Sequence, residues 1–192
     1  MTACIGQYGA AVLTFDNFKL YEAIPFEFTS IENGIQNGDF ETEGFAVNGE
    51  GSGWTSWTTI NEGAWTTPVD ATFTVTDGKV VVETLGVGDF VWSIQFSYRP
   101  TDPLLDVTPG TVYQVEFDVH ATVAGTFSME MTTTGNVANV AIPVTLVVGD
   151  NHIVVEYIAY EANFKLTACV GQYGAAVLTF DNFVISDFGP RV

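Results

Sequence analysis

Positive charge is nearly missing from this chain: five Lys and Arg stand against 23 Asp and Glu, for a formal net charge of −18. Such a surface repels phosphate backbones, so nucleic acid is not an expected partner, and anionic membranes are disfavoured for the same reason. No apolar run reaches transmembrane length, so no membrane insertion is expected. A signal peptide is also missing, but Met1 leads directly into a repeated segment, so this carries no argument for the cytoplasm. Cysteine is limited to Cys4 and Cys169, which occupy the same place in two copies of one segment. A disulfide within one unit is therefore unavailable, and a small buried thiol is the expectation. The two histidines, His120 and His152, have no nucleophile motif beside them and no zinc-ligand spacing, and no phosphate-cradling glycine motif occurs. Both read as exposed strand or turn residues. Calcium, other cations and neutral ligands remain compatible with the charge.

The repeat is the most informative feature present. Residues 2–18 read TACIGQYGAAVLTFDNF, and residues 167–183 read TACVGQYGAAVLTFDNF. Only Ile5 and Val170 differ. A match of this length implies a tandem array, with one whole unit preceded by the tail of another. Residues 1–22 then form a terminal strand segment duplicating 166–187, residues 23–30 a linker, and residues 31–188 the body. A unit of this size buries a substantial core, and 47% apolar against 15% charged residues is a folded composition.

The body alternates with period two. In 111–122, Tyr113, Val115, Phe117 and Val119 take one face, and Gln114, Glu116, Asp118 and His120 the other. Phe127, Met129 and Met131 oppose Ser128 and Glu130. Trp92, Ile94, Phe96 and Tyr98 oppose Ser93, Gln95 and Ser97. Asp77-Gly78, Pro109-Gly110, Gly149-Asp150 and the 171–174 bend supply turns. No helical period appears. The expectation is an all-β, antiparallel β-sandwich of jelly-roll type.

Three ordered motifs stand on this frame: Asn37-Gly-Asp-Phe-Glu41 with Gly53-Trp54; Trp92-Ser-Ile-Gln-Phe96 followed by Pro109-Gly-Thr-Val-Tyr113 and the strand 115–119; and Phe180-Asp-Asn-Phe183. Together they resemble the carbohydrate-binding modules of families 4, 9 and 22. The resemblance implies a β-sandwich, a polysaccharide ligand, and a structural calcium held by Asp39, Glu41 and Asp181. Calcium needs several hard oxygens, and carbonyls near Gly51 and Gly53 are candidates for the rest. Sugar binding pairs aromatic platforms with amide and carboxylate hydrogen-bonders. Trp57 and Trp65 lie in a Gly/Thr-rich stretch and are the platform candidates. Gln95, Glu130, Gln114 and Glu116 sit opposite the apolar sides of their strands, and Tyr98 and Arg99 close theirs. Trp54, Trp92 and Tyr113 read as core.

The acids Asp39, Glu41 and Glu43 alternate, but the order of the motif does not match a glycosidase, so no catalysis is expected. Two readings follow. One is a non-catalytic module of a secreted or cell-surface protein that retains a polysaccharide through Trp57 or Trp65, with avidity from linked copies. The other is a structural repeat of an adhesin or filament, with neighbouring identical units joined by strand exchange through residues 1–22.

Overall fold

A computed structural model describes residues 29–30, 34–42, 45, 53–61, 66–99, 107–133, 139–159 and 164–190. Eleven strands occur in chain order: β1 (Thr29–Ser30), β2 (Gly53–Thr58), β3 (Ala71–Thr76), β4 (Lys79–Thr84), β5 (Ile94–Arg99), β6 (Thr111–Ala121), β7 (Gly125–Thr133), β8 (Asn139–Leu146), β9 (Gly149–Ile158), β10 (Phe164–Cys169) and β11 (Ala176–Pro190). Every pairing is antiparallel. One sheet runs β3-β4-β11-β6-β9, with β1 against β11; the other runs β2-β5-β10-β7-β8. The expected all-β sandwich is what forms, and no α-helix occurs among the described residues.

Alternation explains the layering. Val80 and Val82 on β4, Val115, Phe117 and Val119 on β6, and Leu178 and Phe180 on β11 turn inward from one sheet. Ile94, Phe96 and Tyr98 on β5, Phe127, Met129 and Met131 on β7, and Leu166 and Ala168 on β10 meet them from the other. Aromatic rings lock the centre: Trp54 stacks on Phe96 at 4.8 Å, and Phe117 stacks on Phe183 at 4.7 Å. Offset pairs of this kind add about 0.5–1.5 kcal/mol each beyond their buried area.

The opening motif is not a strand. It is a turn in which Asn37 and Phe40 both have positive φ, 51° and 52°. Phe40 is buried against Trp54, Phe96 and Phe183, which holds the turn to the core. The closing motif breaks the register of β11 against β6 between Asp181 and Val184, with Asn182 at φ 55°. That bulge lets Phe180 and Phe183, an odd spacing apart, both face inward. The two motifs then meet: the Phe183 N–H donates to Gly38 O over 2.9 Å.

The duplicated segment has a particular place. Residues 167–169 end β10 and residues 176–183 begin β11, with the bend between them. Each strand is central in its own sheet, β10 between β5 and β7, and β11 between β4 and β6. The other copy, residues 2–18, and the linker up to residue 28 lie outside the described residues.

Candidate functional site

The outward face of the five-stranded sheet brings most of the predicted ligand residues together. Its register sets Trp57 opposite Gln95, Gln95 opposite Cys169, and Cys169 opposite Ser128. The next row runs Thr55, Ser97, Thr167 and Glu130. Continuing the β5–β10 register by one residue gives a third row, Gly53, Arg99, Lys165 and Thr132. Trp57, Gln95, Arg99 and Glu130, each half-buried, therefore share one face of the sheet, with Thr55, Ser97, Thr167 and Cys169 buried between them, as alternation requires of residues separated by even steps along strands.

Trp57 sits within β2, although the sequence around it shows no apolar alternation. The inward positions of β2 are Trp54, Ser56 and Thr58, so two of three core-facing side chains carry hydroxyls. Thr58 and Ser56 are small enough to fit beneath the aromatic core, and this hides the strand from a hydropathy reading. Trp92 departs from expectation in the other direction. The strand begins at Ile94, and Trp92 lies in a 3-10 turn, Val91–Ser93, where period two no longer applies. Its ring is half-buried, stacked on Phe90 at 4.5 Å and 6.1 Å from Trp57. Trp92 and Phe90 extend the platform that Trp57 begins, and sequence reasoning missed both. Phe90 is 40% exposed, which for a large ring beside two half-buried indoles marks an apolar patch open to a ligand.

Hydrogen bonds fix the polar groups beside the rings. Gln95 Nε2 donates to the Trp92 carbonyl over 2.9 Å, tying the amide to the turn that holds the ring. Ser97 and Thr167 hydroxyls bond to each other across the strands at 3.1 Å. Burial pushes the Cys169 thiol up, and the Glu130 carboxylate beside it pushes further in the same direction, so this cysteine stays a protonated donor. Burial and the neighbouring Arg99 guanidinium lower the Lys165 ammonium.

The remaining predicted residues fall elsewhere. Tyr98 is 3% exposed and points into the core, where its hydroxyl accepts from the Gln36 N–H at 3.0 Å, so it is not on the ligand-facing side of β5. Gln114 and Glu116 belong to β6 in the opposite sheet and do not share a surface with Gln95. Trp65 lies outside the described residues. His120 and His152 are exposed, as expected.

Asp39 and Glu41 lie beside the turn between β3 and β4, and Asp181 lies on β11 against Lys79, the residue that follows that turn. The Glu41 carboxylate and the Asp39 carbonyl lie over Gly78: a Cβ placed there would be 2.2 Å from Glu41 Oε1 and 3.3 Å from Asp39 O. Asp181, however, accepts from Lys79 Nζ at 2.8 Å. Among the described residues no three His, Cys, Asp or Glu form a group that could hold a metal ion.

A groove of about 730 Å³ opens on the outward face of the other sheet, lined by Lys79, Asp118, His120, Asp150, His152 and Asp181 among others. His120 pairs with Asp150 at 2.7 Å and His152 with Asp118 at 2.8 Å. No aromatic platform lines it among the described residues, and each of its carboxylates is paired, Asp181 with Lys79, Asp150 with His120 and Asp118 with His152. The aromatic face of the five-stranded sheet is therefore the better candidate for a sugar.

Residues 32–165 match the model of a carbohydrate binding domain family. Among solved structures, one described as "CBM4 structure and function" aligns over 80% of this chain and 99% of its own, with a TM-score of 0.66 at 18% identity. The N-terminal cellulose-binding domain of Cellulomonas fimi β-1,4-glucanase C covers 70% of this chain and 88% of its own, at TM-score 0.50 and 13% identity. A Clostridium thermocellum xylanase 10B structure holding CBM22-1 and GH10 modules with xylohexaose matches 73% of this chain and 27% of its own, at TM-score 0.51 and 17% identity. At these identities the likeness establishes the fold. A search of curated proteins gave no match.

Proposed function

This chain belongs to the carbohydrate binding domain family, and from that premise we propose that it is a non-catalytic module that holds a polysaccharide across the outward face of β2, β5, β10 and β7. The observation that carries the reading is the Phe90–Trp92–Trp57 aromatic run beside Gln95, Arg99 and Glu130 on one surface. Rings offer stacking to the C–H faces of sugars, while the amide and charged groups select hydroxyls. The wider assignment is a secreted or cell-surface protein. No helix among the described residues is long and apolar enough to cross a membrane.

Affinity electrophoresis against a panel including xylohexaose tests the reading. Trp57→Ala and Trp92→Ala are each expected to weaken binding about tenfold while the fold persists, because both rings are only partly buried. Binding unaffected by either change, or no binding to any glycan, would remove the assignment.

The calcium implied by the resemblance is proposed in a narrower form, as a competitor of Lys79 for Asp181. Supporting it is the meeting of Glu41 and the Asp39 carbonyl beside the same turn. If the ion binds there, it supplies structural cross-linking of the opening turn to β11 and no chemistry.

The second reading, assembly of identical units through residues 1–22, is favoured by one observation. The 167–183 copy of the repeat occupies central positions in both sheets, so the 2–18 copy has no interior place left in this unit. The two readings are compatible, since an array of linked modules gains avidity.

A further inference from the structure

Only five residues of the chain are basic, and two of them, Arg99 and Lys165, stand side by side on the proposed glycan face. Like charges directly opposite on adjacent strands are destabilising, so this pairing works against the fold. The four ion pairs among the described residues all lie on the opposite sheet, and the attraction that partly offsets the pairing comes from Glu130, which acts on Lys165 from the neighbouring strand. Arg99 Nε is buried with no hydrogen-bond partner among the described residues. Lys165 feels the guanidinium directly. Glu130, the one acid of the three rows, acts on both the Cys169 side chain and the Lys165 ammonium, one carboxylate against two cations. A buried cationic donor without an acceptor costs free energy until an acceptor arrives.

We propose that Arg99 and Lys165 form a carboxylate receptor, and that the polysaccharide held by this chain carries uronic acid residues. The inference rests on the glycan-face reading above. The planar guanidinium matches a carboxylate in shape, and the Lys165 ammonium adds a point charge at the same spot. Arg99 lies four residues along β5 from Gln95, which is level with Trp57. That is about 13 Å at ordinary strand rise, so stacking and charge recognition engage different sugars of one chain.

The net charge of −18 argues against any anionic ligand, but distance decides the matter. Asp118, Asp150, Asp181 and Glu116 lie on the far face of the opposite sheet. Packed sheets are about 10 Å apart, and outward side chains add to that, against a Debye length of about 8 Å in physiological salt. Within the three rows described, two cations then stand against the single acid Glu130, so the charge there is net positive.

The test is calorimetric binding of the full chain to galacturonate, mannuronate and glucuronate hexasaccharides, each against its methyl ester, with xylohexaose as a neutral probe. At least one acid is expected to bind about tenfold or more tightly than its ester in low salt, with the preference shrinking in high salt. Lys165→Gln is expected to abolish the preference and Lys165→Arg to keep it, and thermal melts confirm that each variant is folded. Equal affinity of acid and ester, or a preference that survives Lys165→Gln, overturns the inference. Xylohexaose binding without acid preference overturns it alone, whereas no binding to any probe overturns the glycan-face reading with it.

Discussion

Lys79 reaches from β4 to β11 and donates to Asp181 Oδ2 over 2.8 Å, supplying positive charge where a calcium ligand was expected. The need for that charge is visible in the register, which sets Asp181 directly opposite Asp118. Two facing carboxylates repel, and here each is answered separately: Asp181 by Lys79, Asp118 by Asn182 Nδ2 at 2.9 Å and by His152. Removing the ammonium exposes the repulsion. Lys79→Met is expected to lower the melting temperature, and millimolar calcium to restore it while leaving the unsubstituted chain unchanged. Calorimetry with calcium or a chelator checks both. A variant that calcium does not rescue would end the calcium proposal at Asp181.

Gly38 is where the opening turn touches the closing strand. A Cβ there would lie 2.1 Å from Phe183 O and 3.2 Å from Phe183 Cβ. The first is backbone that is already fixed by the Phe183-to-Gly38 hydrogen bond, so it cannot rotate away. Gly38→Ala is therefore expected to cost about 1–3 kcal/mol, the usual range for overpacking. Urea unfolding would measure it. Gly110 provides the contrast, since its Cβ would meet nothing within 4 Å, although its φ of 84° carries a strain of its own.

The sandwich was legible because its inner strands obey period two outside the bulge in β11: Phe117, Met129 and Phe180 needed only alternation to be placed. The site was legible in part. Gln95, Arg99 and Glu130 emerged from the same parity, since whatever faces away from a core phenylalanine or methionine must face outward. Tyr98 was misassigned among them because its polar tip and terminal position in the strand outweighed its parity with Phe96. Trp92 was missed because alternation was extended through a turn that does not keep it. β2 was hidden because Ser56 and Thr58 take inward positions normally held by apolar groups. The Lys79–Asp181 pair joins residues 102 apart in sequence, and no local pattern signals such a contact.

His152 sits between two carboxylates, 2.8 Å from Asp118 and 3.5 Å from Glu116. Its hydrogen bond to Asp118 raises its pKa above the ordinary 6.5. A raised histidine pKa contributes stability that is complete below the unfolded value and fades as pH climbs through the folded one. Asp118 shifts the other way, held down first by the bond from Asn182 and then by His152, so its contribution is present above 3.8 and fades as pH falls through its lowered pKa. Stability from this pair is thus greatest between these limits. The melting difference between the unsubstituted chain and His152→Gln is expected to be largest near pH 5–6 and to shrink toward pH 8. Melts across that range, with the His152 ring followed by NMR, provide the check; a difference independent of pH would refute it.

The repeated segment makes the last prediction. In the described unit, residues 167–183 give the end of β10 and the start of β11, and both strands have a neighbour on each side. The segment at residues 2–18, which differs only at Ile5, carries the same alternating apolar positions, among them Leu13 and Phe15, which correspond to the buried Leu178 and Phe180. Phe180 is fully buried, and its counterpart has the same free energy to gain from burial, about 1.5–3 kcal/mol for a large apolar side chain. Inside this unit the equivalent place is taken, so the segment gains burial by pairing with a free sheet edge, and an edge on another copy is as suitable as its own. The full chain is therefore expected to associate in a concentration-dependent way, and a version lacking residues 1–22 to remain monomeric. Light scattering on both distinguishes the outcomes. Association of the full chain alone makes the segment a donated strand pair, whereas two monomers mean that the segment does not link copies and that avidity must come from covalent linkage of units.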